Sequence, residues 1–408
     1  MRSKKSILFL MNTMGRAGAE RALIELMRVL DPEKYRISLY VLIPRGELFS
    51  EVPEYVRILN RRTDSRSVLS AGGKLFVAAR LVKAALYSGS MVKAFKRISK
   101  NRKAAGEQRG ALTLEKVLRR MLADGSAALP GGYDLAVAYL EGPATWYVAE
   151  KVDAVRKAAF LHIDYGKAGY LRALDDGCYN AFDRIYAVSE DVRRQFLKVY
   201  PEYEGKTELF FNIINREYIR ARAEEPGGFT DGFTGMRLLT VGRLYYQKGY
   251  DIAVKTAAVL KERGYSFRWY VLGEGAERKK LQKQIKAYGL EDDFLLLGAS
   301  DNPYPYFKQS DIYVCTSRYE GKSIAIEEAQ ALGKPVVATG CTGIEEQIRS
   351  GKDGVITGME PVNLADEIEN LMKDPDIRRR YGQAAYDREL SYKKDLEEFL
   401  SLTGSDRA

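Results

Sequence analysis

The sequence is poor in the residues that most often build metal and disulfide sites. Its 408 residues include one histidine and three cysteines. The cysteines, Cys178, Cys315 and Cys341, lie far apart and form no Cys-x-x-Cys pair. A disulfide framework or a structural zinc site is therefore not expected, and a reducing compartment is the simplest interpretation.

Long apolar runs are also missing. The stretch Ile7–Met11 follows a basic start, as in a signal peptide, but it is short, and residues 12–18 break it without a cleavage-like site. A first buried strand fits this stretch better. No segment approaches the length of a membrane-spanning helix. We therefore expect a cytoplasmic protein.

Basic residues are concentrated in one segment. The formal net charge is +10, yet residues 57–124 alone hold 17 Lys and Arg against 4 Asp and Glu. Within it, apolar residues between Leu75 and Leu122 recur at roughly helical spacing. Such a basic amphipathic region suits an anionic membrane surface. It suits equally a solvated helical hairpin packed by its apolar stripe.

Short apolar runs alternate with helical patterns in two series, which predicts an α/β protein with two doubly wound, Rossmann-like domains facing a cleft. The predicted strands are Ser6–Met11, Ile37–Ile43, Asp134–Tyr139, Ala158–His162, Arg184–Val188, Thr207–Phe211, Arg237–Val241, Phe267–Leu272, Phe294–Leu297, Ile312–Cys315, Pro335–Ala338 and Gly354–Ile356. A Gly-rich stretch without periodicity separates the series. The predicted boundaries are 1–225 with a basic helical insertion at about 60–125, 236–385, and a final helix at 386–408 whose docking site the sequence does not reveal.

A glycine-containing loop follows the first strand of each of the two series. Gly15 and Gly18 precede a helix whose N–H groups can attract phosphate. A plain strand–turn–helix connection would give the same sequence pattern. Residues 242–249 carry Arg243 and Lys248, which can hold a diphosphate. Cations in a loop are also common without any ligand.

The segment from Ser317 to Ala329 is the strongest candidate site. A loop ends near Gly321 and a helix begins near Ser323, which is placed to cap it. Glu320 precedes the helix, and Glu328 lies about five residues into it, where a carboxylate can reach a diol. An ordinary acidic helix would give a similar pattern, because Glu is a good helix former.

Taken together, the motifs resemble glycosyltransferase family 4, of the bacterial cell-surface polysaccharide type. They are GAER at 18–21, G-R…K-G at 242–249, VLGEG at 271–275, NPYPY at 302–306, SDIYV at 310–314, SRYEG at 317–321 and EAQALGKPVV at 328–337. The order and spacing follow the family over nearly the whole chain, most specifically over 237–337. The resemblance implies the GT-B fold and transfer with retention of anomeric configuration, without a metal or a bound cofactor.

The resemblance also implies roles for individual residues. It makes Glu320 a contact of the transferred sugar, with His162, at the end of a strand, nearby; these two are the predicted catalytic residues. The predicted donor-binding residues are Arg243, Lys248, Lys322, Ser323, Ile324, Glu328, Gly15 and Gly18. Lys322 departs from the family, in which many members carry Phe; a lysine there could add a cation for phosphate or alter the sugar preference.

The sequence therefore predicts transfer of a hexose or N-acetylhexosamine from a nucleotide-diphosphate sugar to a glycan or glycolipid acceptor. The basic segment favours a lipid-linked acceptor and a peripheral position at the inner face of the plasma membrane. Two alternatives stay open. One is a nucleotide-sugar epimerase of the same fold, for which a chain with one histidine supplies few acid–base partners. The other is a nucleic-acid-binding protein, against which stand the few aromatics among the basic residues.

Overall fold

The computed structural model describes residues 4–68, 70–86, 89–100, 113–165, 172–388 and 392–404. These residues form two compact units. The first unit holds the described residues up to 213 together with those after 391, and the second holds the described residues from 214 onward up to 388. Part of the predicted basic segment, residues 101–112, lies outside the described residues.

The first unit is built on a parallel sheet of seven strands among its described residues, in the order β3-β2-β1-β4-β5-β6-β7. Four of these strands, β1, β4, β5 and β6, end in fully buried apolar residues, as strands covered on both faces do. The strands are β1 (Lys5–Met11), β2 (Tyr35–Val41), β3 (Arg57–Ile58), β4 (Gly132–Ala138), β5 (Asp153–Leu161), β6 (Arg184–Ala187) and β7 (Thr207–Leu209).

The second unit repeats the arrangement with six strands in its described part, in the order β10-β9-β8-β11-β12-β13, again all parallel. Both orders place a later strand beside the first one, so each sheet has a switch point where the chain direction across the sheet reverses. The strands are β8 (Met236–Val241), β9 (Phe267–Leu272), β10 (Phe294–Gly298), β11 (Ile312–Cys315), β12 (Val336–Thr339) and β13 (Gly354–Thr357).

Helices connect the strands, as parallel pairing requires. In the first unit they are α1 (Gly18–Val29), α2 (Ala71–Leu86), α3 (Ser90–Lys100), α4 (Leu114–Gly125), α5 (Pro143–Lys151), α6 (Arg172–Asp175), α7 (Glu190–Val199) and the C-terminal α15 (Lys393–Ser401). In the second they are α8 (Arg216–Ala223), α9 (Tyr250–Glu262), α10 (Arg278–Ala287), α11 (Tyr304–Gln309), α12 (Ile324–Ala331), α13 (Pro361–Lys373) and α14 (Pro375–Tyr386).

The predicted fold class is confirmed, since both units are doubly wound α/β sheets and every predicted strand is present. The structure adds β3, whose two residues are too few to give a pattern. It also divides the chain after residue 213 rather than in the Gly-rich stretch 223–236. The reason is packing: Ile219 and Ala223 of α8 are buried in the core of the second sheet.

Helix α15 belongs to the first unit. Its Phe399 is fully buried, and the ring contacts Phe9, Phe160, Tyr186 and Phe210 at centroid distances of 5.7 to 6.5 Å. The last helix of the chain thus covers the sheet with which the chain begins.

The basic insertion forms helices α2, α3 and α4, which pack on one another. Gly125 of α4 allows a close crossing, because a Cβ there would lie 2.4 Å from the carbonyl oxygen of Ala84. Arg120 anchors α4 to α5: it is fully buried, forms an ion pair with Glu150 of α5 and lies 5.0 Å from the Trp146 ring of the same helix.

We predict that Phe399→Ala destabilises the first unit by about 3–5 kcal/mol, the usual cost of removing a buried Phe side chain. Urea unfolding followed by tryptophan fluorescence measures this, since Trp146 lies in the same unit. Glu397→Ala, an exposed change on the same helix, should shift the midpoint by no more than about 0.5 kcal/mol. Equal, small effects of both changes would mean that α15 does not hold the sheet.

Candidate functional site

Two loops interlock at the switch point of the second sheet. The loop after β8 ends at Gly249, whose φ is +63°, and a Cβ there would lie 2.0 Å from the carbonyl oxygen of Thr316 at the end of β11. The Thr316 hydroxyl donates to the Lys248 carbonyl oxygen at 2.9 Å, and the Arg318 N–H donates to that of Gln247 at 2.7 Å. Glycine at 249 is therefore needed to bring the loops together.

A bidentate ion pair reinforces this contact. Both terminal nitrogens of Arg318 bond the Asp251 carboxylate at 2.8 Å, and hydrogen bonding and the charge of this guanidinium lower the pKa of Asp251. Asp251 lies in the first turn of α9. The pair fixes the β11 loop against the helix that leaves the β8 loop, which makes the site rigid in the absence of ligand.

Glu320 is the centre of the site. It is 6% exposed, and its Oε1 accepts from Lys248 Nζ at 2.5 Å and from the Ser317 hydroxyl at 2.6 Å. Gln247 Nε2 lies 3.4 Å from Oε2. Burial acts to lower the pKa of Lys248, but the attraction of Glu320 outweighs it and the pKa is raised. Lys248 is therefore charged, and Glu320 neutralises it within the chain.

Arg243, in contrast, is exposed. Its guanidinium lies 5.4 Å from the Tyr245 ring, and it forms no ion pair with the carboxylates that the structure describes. The positive charge of Arg243 acts to lower the pKa of Lys248, so the two cations influence one another. Of the two predicted phosphate-binding cations, Arg243 is the one whose charge is available to an incoming anion.

Lys322 does not serve as the additional free cation predicted from the sequence. Its Nζ lies 2.8 Å from Glu327 Oε1, and both side chains are buried, at 7% and 2% exposure. A buried pair keeps its charges together, because separating them would leave an unpaired charge out of water. Lys322 is committed to Glu327, a residue whose part in the site the sequence did not indicate.

Ser323 occupies the cap position of α12, as predicted, but its hydroxyl makes no capping bond. The side-chain amide of Gln347 holds the Ser323 backbone instead: Oε1 accepts from its N–H at 2.7 Å and Nε2 donates to its carbonyl at 2.9 Å. The Ser323 amide is thus occupied. Ile324 begins the helix, where first-turn N–H groups lack intrahelical acceptors, and this turn is the part of the predicted phosphate site that stays available.

Glu328 is the fifth residue of the same helix. It is 5% exposed, and its Oε1 accepts from the Tyr304 hydroxyl at 3.1 Å. Asn302 holds the start of the Tyr304 turn, because its side-chain oxygen accepts the Tyr304 N–H at 3.2 Å. The NPYPY motif therefore orients the predicted diol-binding carboxylate.

In the first unit, Gly15 and Gly18 lie where β1 passes into α1. Gly18 is the first residue of the helix, and a Cβ on Gly15 would lie 3.3 Å from Val68. Asn12 joins this loop to the one after β4, accepting the Ala144 N–H at 2.9 Å and donating to the Glu141 carbonyl at 3.3 Å. The loops of β1 and β4 thus meet at the switch point of the first sheet.

His162 follows β5 at the same edge. Its ring lies 4.9 Å from that of Tyr139 and 6.1 Å from that of Phe160. Burial lowers the pKa of His162 to about 3, so the imidazole is neutral. Its Nε2 is buried without a hydrogen-bond partner in the part of the chain that the structure describes.

Glu141, which the sequence analysis missed, lies beside His162. It is fully buried, and its Oε1 accepts from the N–H groups of His162 at 2.5 Å and Ile163 at 3.0 Å. Burial raises the pKa of Glu141 to about 7. The available signal was its position: an acidic residue three positions after the end of a buried strand and directly before Gly142–Pro143.

The switch point of the second sheet thus brings together the exposed Arg243, a neutralised Lys–Glu pair and a helix start, which suit an anion carrying hydroxyl groups. The first unit offers a neutral imidazole and a buried carboxylate. No group of three or more His, Cys, Asp or Glu able to hold a metal ion occurs within the described ranges. Nor does any helix of those ranges have the length and apolarity needed to span a membrane.

The family model for glycosyl transferases group 1 matches residues 234–388, which lie in the second unit. Alpha-D-kanosaminyltransferase of Streptomyces kanamyceticus is 30% identical over 178 residues, 43% of this chain and 45% of that protein. An N-acetylgalactosaminyltransferase of Campylobacter jejuni acting on a diphospho-undecaprenol-linked saccharide is 29% identical over 191 residues, 46% of this chain and 50% of that protein. The match spans about half the length of these relatives.

Among solved structures, HepE of Anabaena in complex with UDP and glucose matches with a TM-score of 0.68 at 16% identity, covering 98% of this chain and 100% of that one. At this identity the likeness concerns the fold alone.

The predicted resemblance to bacterial polysaccharide glycosyltransferases is confirmed by the family match and these relatives, and the GT-B type by the structural neighbour. Family 4 and retention stay predictions.

His162 gives a direct test, because it is the only histidine of the chain. We predict that in an untagged protein its ring resonances do not titrate between about pH 5 and about pH 8, where an ordinary histidine changes charge. In urea the same signal should titrate near about pH 6.5. Since the folded pKa is the lower one, His162 costs stability as the pH falls below that value. A folded-state midpoint above about pH 6 would contradict the buried, neutral ring.

Proposed function

We propose that the chain is a glycosyltransferase that moves a hexose or N-acetylhexosamine from a nucleotide-diphosphate sugar to a glycan acceptor in bacterial cell-surface polysaccharide synthesis. The observation that carries the proposal is the group at the switch point of the second sheet: Arg243, the Lys248–Glu320 pair and the start of α12. Ligands of open α/β sheets bind at this edge, and the group lies inside the segment that matches the family model.

The donor diphosphate takes the place next to Arg243. Its charge bonds the exposed guanidinium and the first-turn N–H groups of α12, beginning at Ile324, since a helix start favours an anion. Lys248 is shared between Glu320 and the diphosphate, so the ion pair opens on one side as the ligand enters. Glu328, already oriented by Tyr304, accepts hydrogen bonds from the ribose hydroxyls.

The transfer breaks the bond between the anomeric carbon and the diphosphate oxygen, and the electron pair leaves with the diphosphate. An acceptor hydroxyl oxygen forms the new bond to that carbon, and its proton passes to the departing diphosphate oxygen. Arg243, Lys248 and the helix start stabilise the negative charge that develops on the leaving group. No residue needs to form a covalent intermediate. We assign Glu320 to orienting the sugar and Lys248, and we propose transfer with retention and without a metal.

His162 and the β1 loop, with Gly15 and Gly18, form the saccharide-binding edge of the first unit. A neutral imidazole can donate one hydrogen bond and accept another, which matches a sugar hydroxyl. A charged ring would not accept. The low pKa of His162 therefore fits a binding contact rather than storage of a proton.

The basic insertion bears on where the acceptor lies, because its surface suits attachment to a membrane. Its helices expose large apolar side chains, Leu75, Val82, Leu86, Met91, Val92, Phe95 and Leu114, here called the exposed apolar set. Lys93 and Lys96 are exposed next to Phe95. Apolar side chains among lysines match the interface of an anionic bilayer. We propose peripheral attachment at the inner face of the plasma membrane and a lipid-linked acceptor.

A panel of UDP-, GDP- and ADP-sugars tests the function as a whole. A donor that binds the folded protein raises its melting temperature, and release of the nucleoside diphosphate with water or a glycan as acceptor measures transfer. Absence of both responses with every donor class would reject the proposal. Conversion of the donor to its epimer, without release of nucleotide, would replace it by an epimerase.

We predict that Arg243→Ala lowers turnover about 100- to 1000-fold, the usual loss when one stabilising group of a developing anion is removed. Arg243 is exposed and holds no described ion pair, so the melting temperature of the free protein should not change. Lys255→Ala removes another exposed cation of the second unit and should leave turnover intact. Equal turnover in both variants would exclude Arg243 from the site.

We predict that the double change Leu86→Glu and Phe95→Glu weakens co-sedimentation with phosphatidylcholine–phosphatidylglycerol vesicles by about tenfold or more, since each buried apolar side chain contributes about 1.5–3 kcal/mol. Val155→Glu alters a side chain of similar exposure, 77%, outside the insertion, and should keep binding. Wild-type binding should fall in high salt and without phosphatidylglycerol. Binding independent of anionic lipid would contradict the membrane assignment.

A further inference from the structure

Glu141 is a buried polar residue at the carboxyl edge of the first sheet, and the proposed chemistry does not use it. Its side chain is fully buried. Oε1 accepts two backbone N–H bonds, from His162 and Ile163, while Oε2 has no hydrogen-bond partner among the described residues. A buried carboxyl oxygen without a partner costs free energy.

Its position makes it the junction of three loops. Glu141 lies in the β4 loop. Its backbone carbonyl accepts a hydrogen bond from the Asn12 side chain of the β1 loop. Its carboxyl group accepts the N–H groups of the first two residues after β5. His162 is the first of those two, and no described group bonds its Nε2. The ring is thus placed by its backbone and by the Tyr139 and Phe160 rings.

We propose that Glu141 is a positioning residue for His162: through the two backbone bonds it fixes the start of the β5 loop, and so the direction in which the imidazole meets a bound saccharide. The saccharide in this proposal depends on the proposed function, whereas the positioning of His162 by Glu141 does not. A carbonyl oxygen at Oε1 is sufficient for the two bonds, so the role needs the shape of the side chain rather than its charge.

The experiment compares Glu141→Gln with Glu141→Leu in the full chain. Gln keeps the Oε1 acceptor, whereas Leu leaves two buried N–H groups without a partner. Asp183→Asn is the matched control, because Asp183 accepts the Lys157 N–H at 2.8 Å in the middle of the same strand β5. The first readout is the ring resonance of His162, the only histidine. We expect it to move in Glu141→Leu and to stay in Glu141→Gln and Asp183→Asn.

The second readout is release of nucleoside diphosphate, with water as acceptor, from the UDP-, GDP- or ADP-sugar that gives the largest thermal shift. Glu141→Leu should lower kcat about 10- to 100-fold, the order of loss for a small misplacement. Its thermal shift with the nucleotide should be unchanged, since Arg243 and Lys248 lie in the other unit. In a His162→Ala background, Glu141→Leu should have no further effect on kcat.

Loss of turnover in Glu141→Gln with an unmoved His162 resonance would overturn the proposal, because Glu141 would then act by its own charge. This comparison uses only the isosteric Glu141→Gln variant, so it stays decisive even where Glu141→Leu does not fold. An unmoved resonance in folded Glu141→Leu, or additive losses in the double variant, would overturn it too. Failure of the proposed function shows differently, as a wild-type protein without nucleotide response, and leaves the resonance test standing.

Discussion

Parallel strand pairing is the constraint on which the rest of this structure depends. Strands that all run one way must be joined by crossovers, so helices cover both faces and the loops leaving the strands gather at one edge. In both sheets the fourth strand in chain order lies beside the first: β4 beside β1 and β11 beside β8. Open α/β sheets bind ligands at the carboxyl edge of such switch points.

Charge is distributed unequally around the switch point of the second sheet. Lys248 and Lys322 are each neutralised by a glutamate of the same unit, at 2.5 and 2.8 Å, whereas Arg243 faces solvent. A site with three free cations would bind any phosphate. With two of them paired, an anion must approach Arg243 and offer geometry that also suits Glu320 and the helix start. Under the proposed function, such pairing favours a sugar diphosphate over a simple phosphate.

The strands could be predicted because buried parallel strands are short apolar runs, and their order in the sheet then places Arg243, Lys248 and Glu320 at one edge. What could not be predicted depends on side chains far apart in sequence. Gln347 lies 24 residues from Ser323, yet it holds the Ser323 backbone at the start of α12. Helix α15 joins the first sheet through Phe399, although its sequence is mostly charged. No local pattern records a partner that lies many residues away.

The basic insertion shows why periodicity alone left two explanations open. Helix α2 has a packed side, with Phe76, Leu81 and Ala84 against the core of the first unit, and an outer side with Leu75 and Leu86 exposed at 72% and 79%. A solvated hairpin needs only the packed side. The outer apolar residues give up hydrophobic stabilisation in water, roughly 1.5–3 kcal/mol each when fully buried. Their cost is offset where they are covered, and the exposed lysines nearby favour an anionic surface. The outer residues therefore support the proposed membrane attachment, which a hairpin that merely packs does not require.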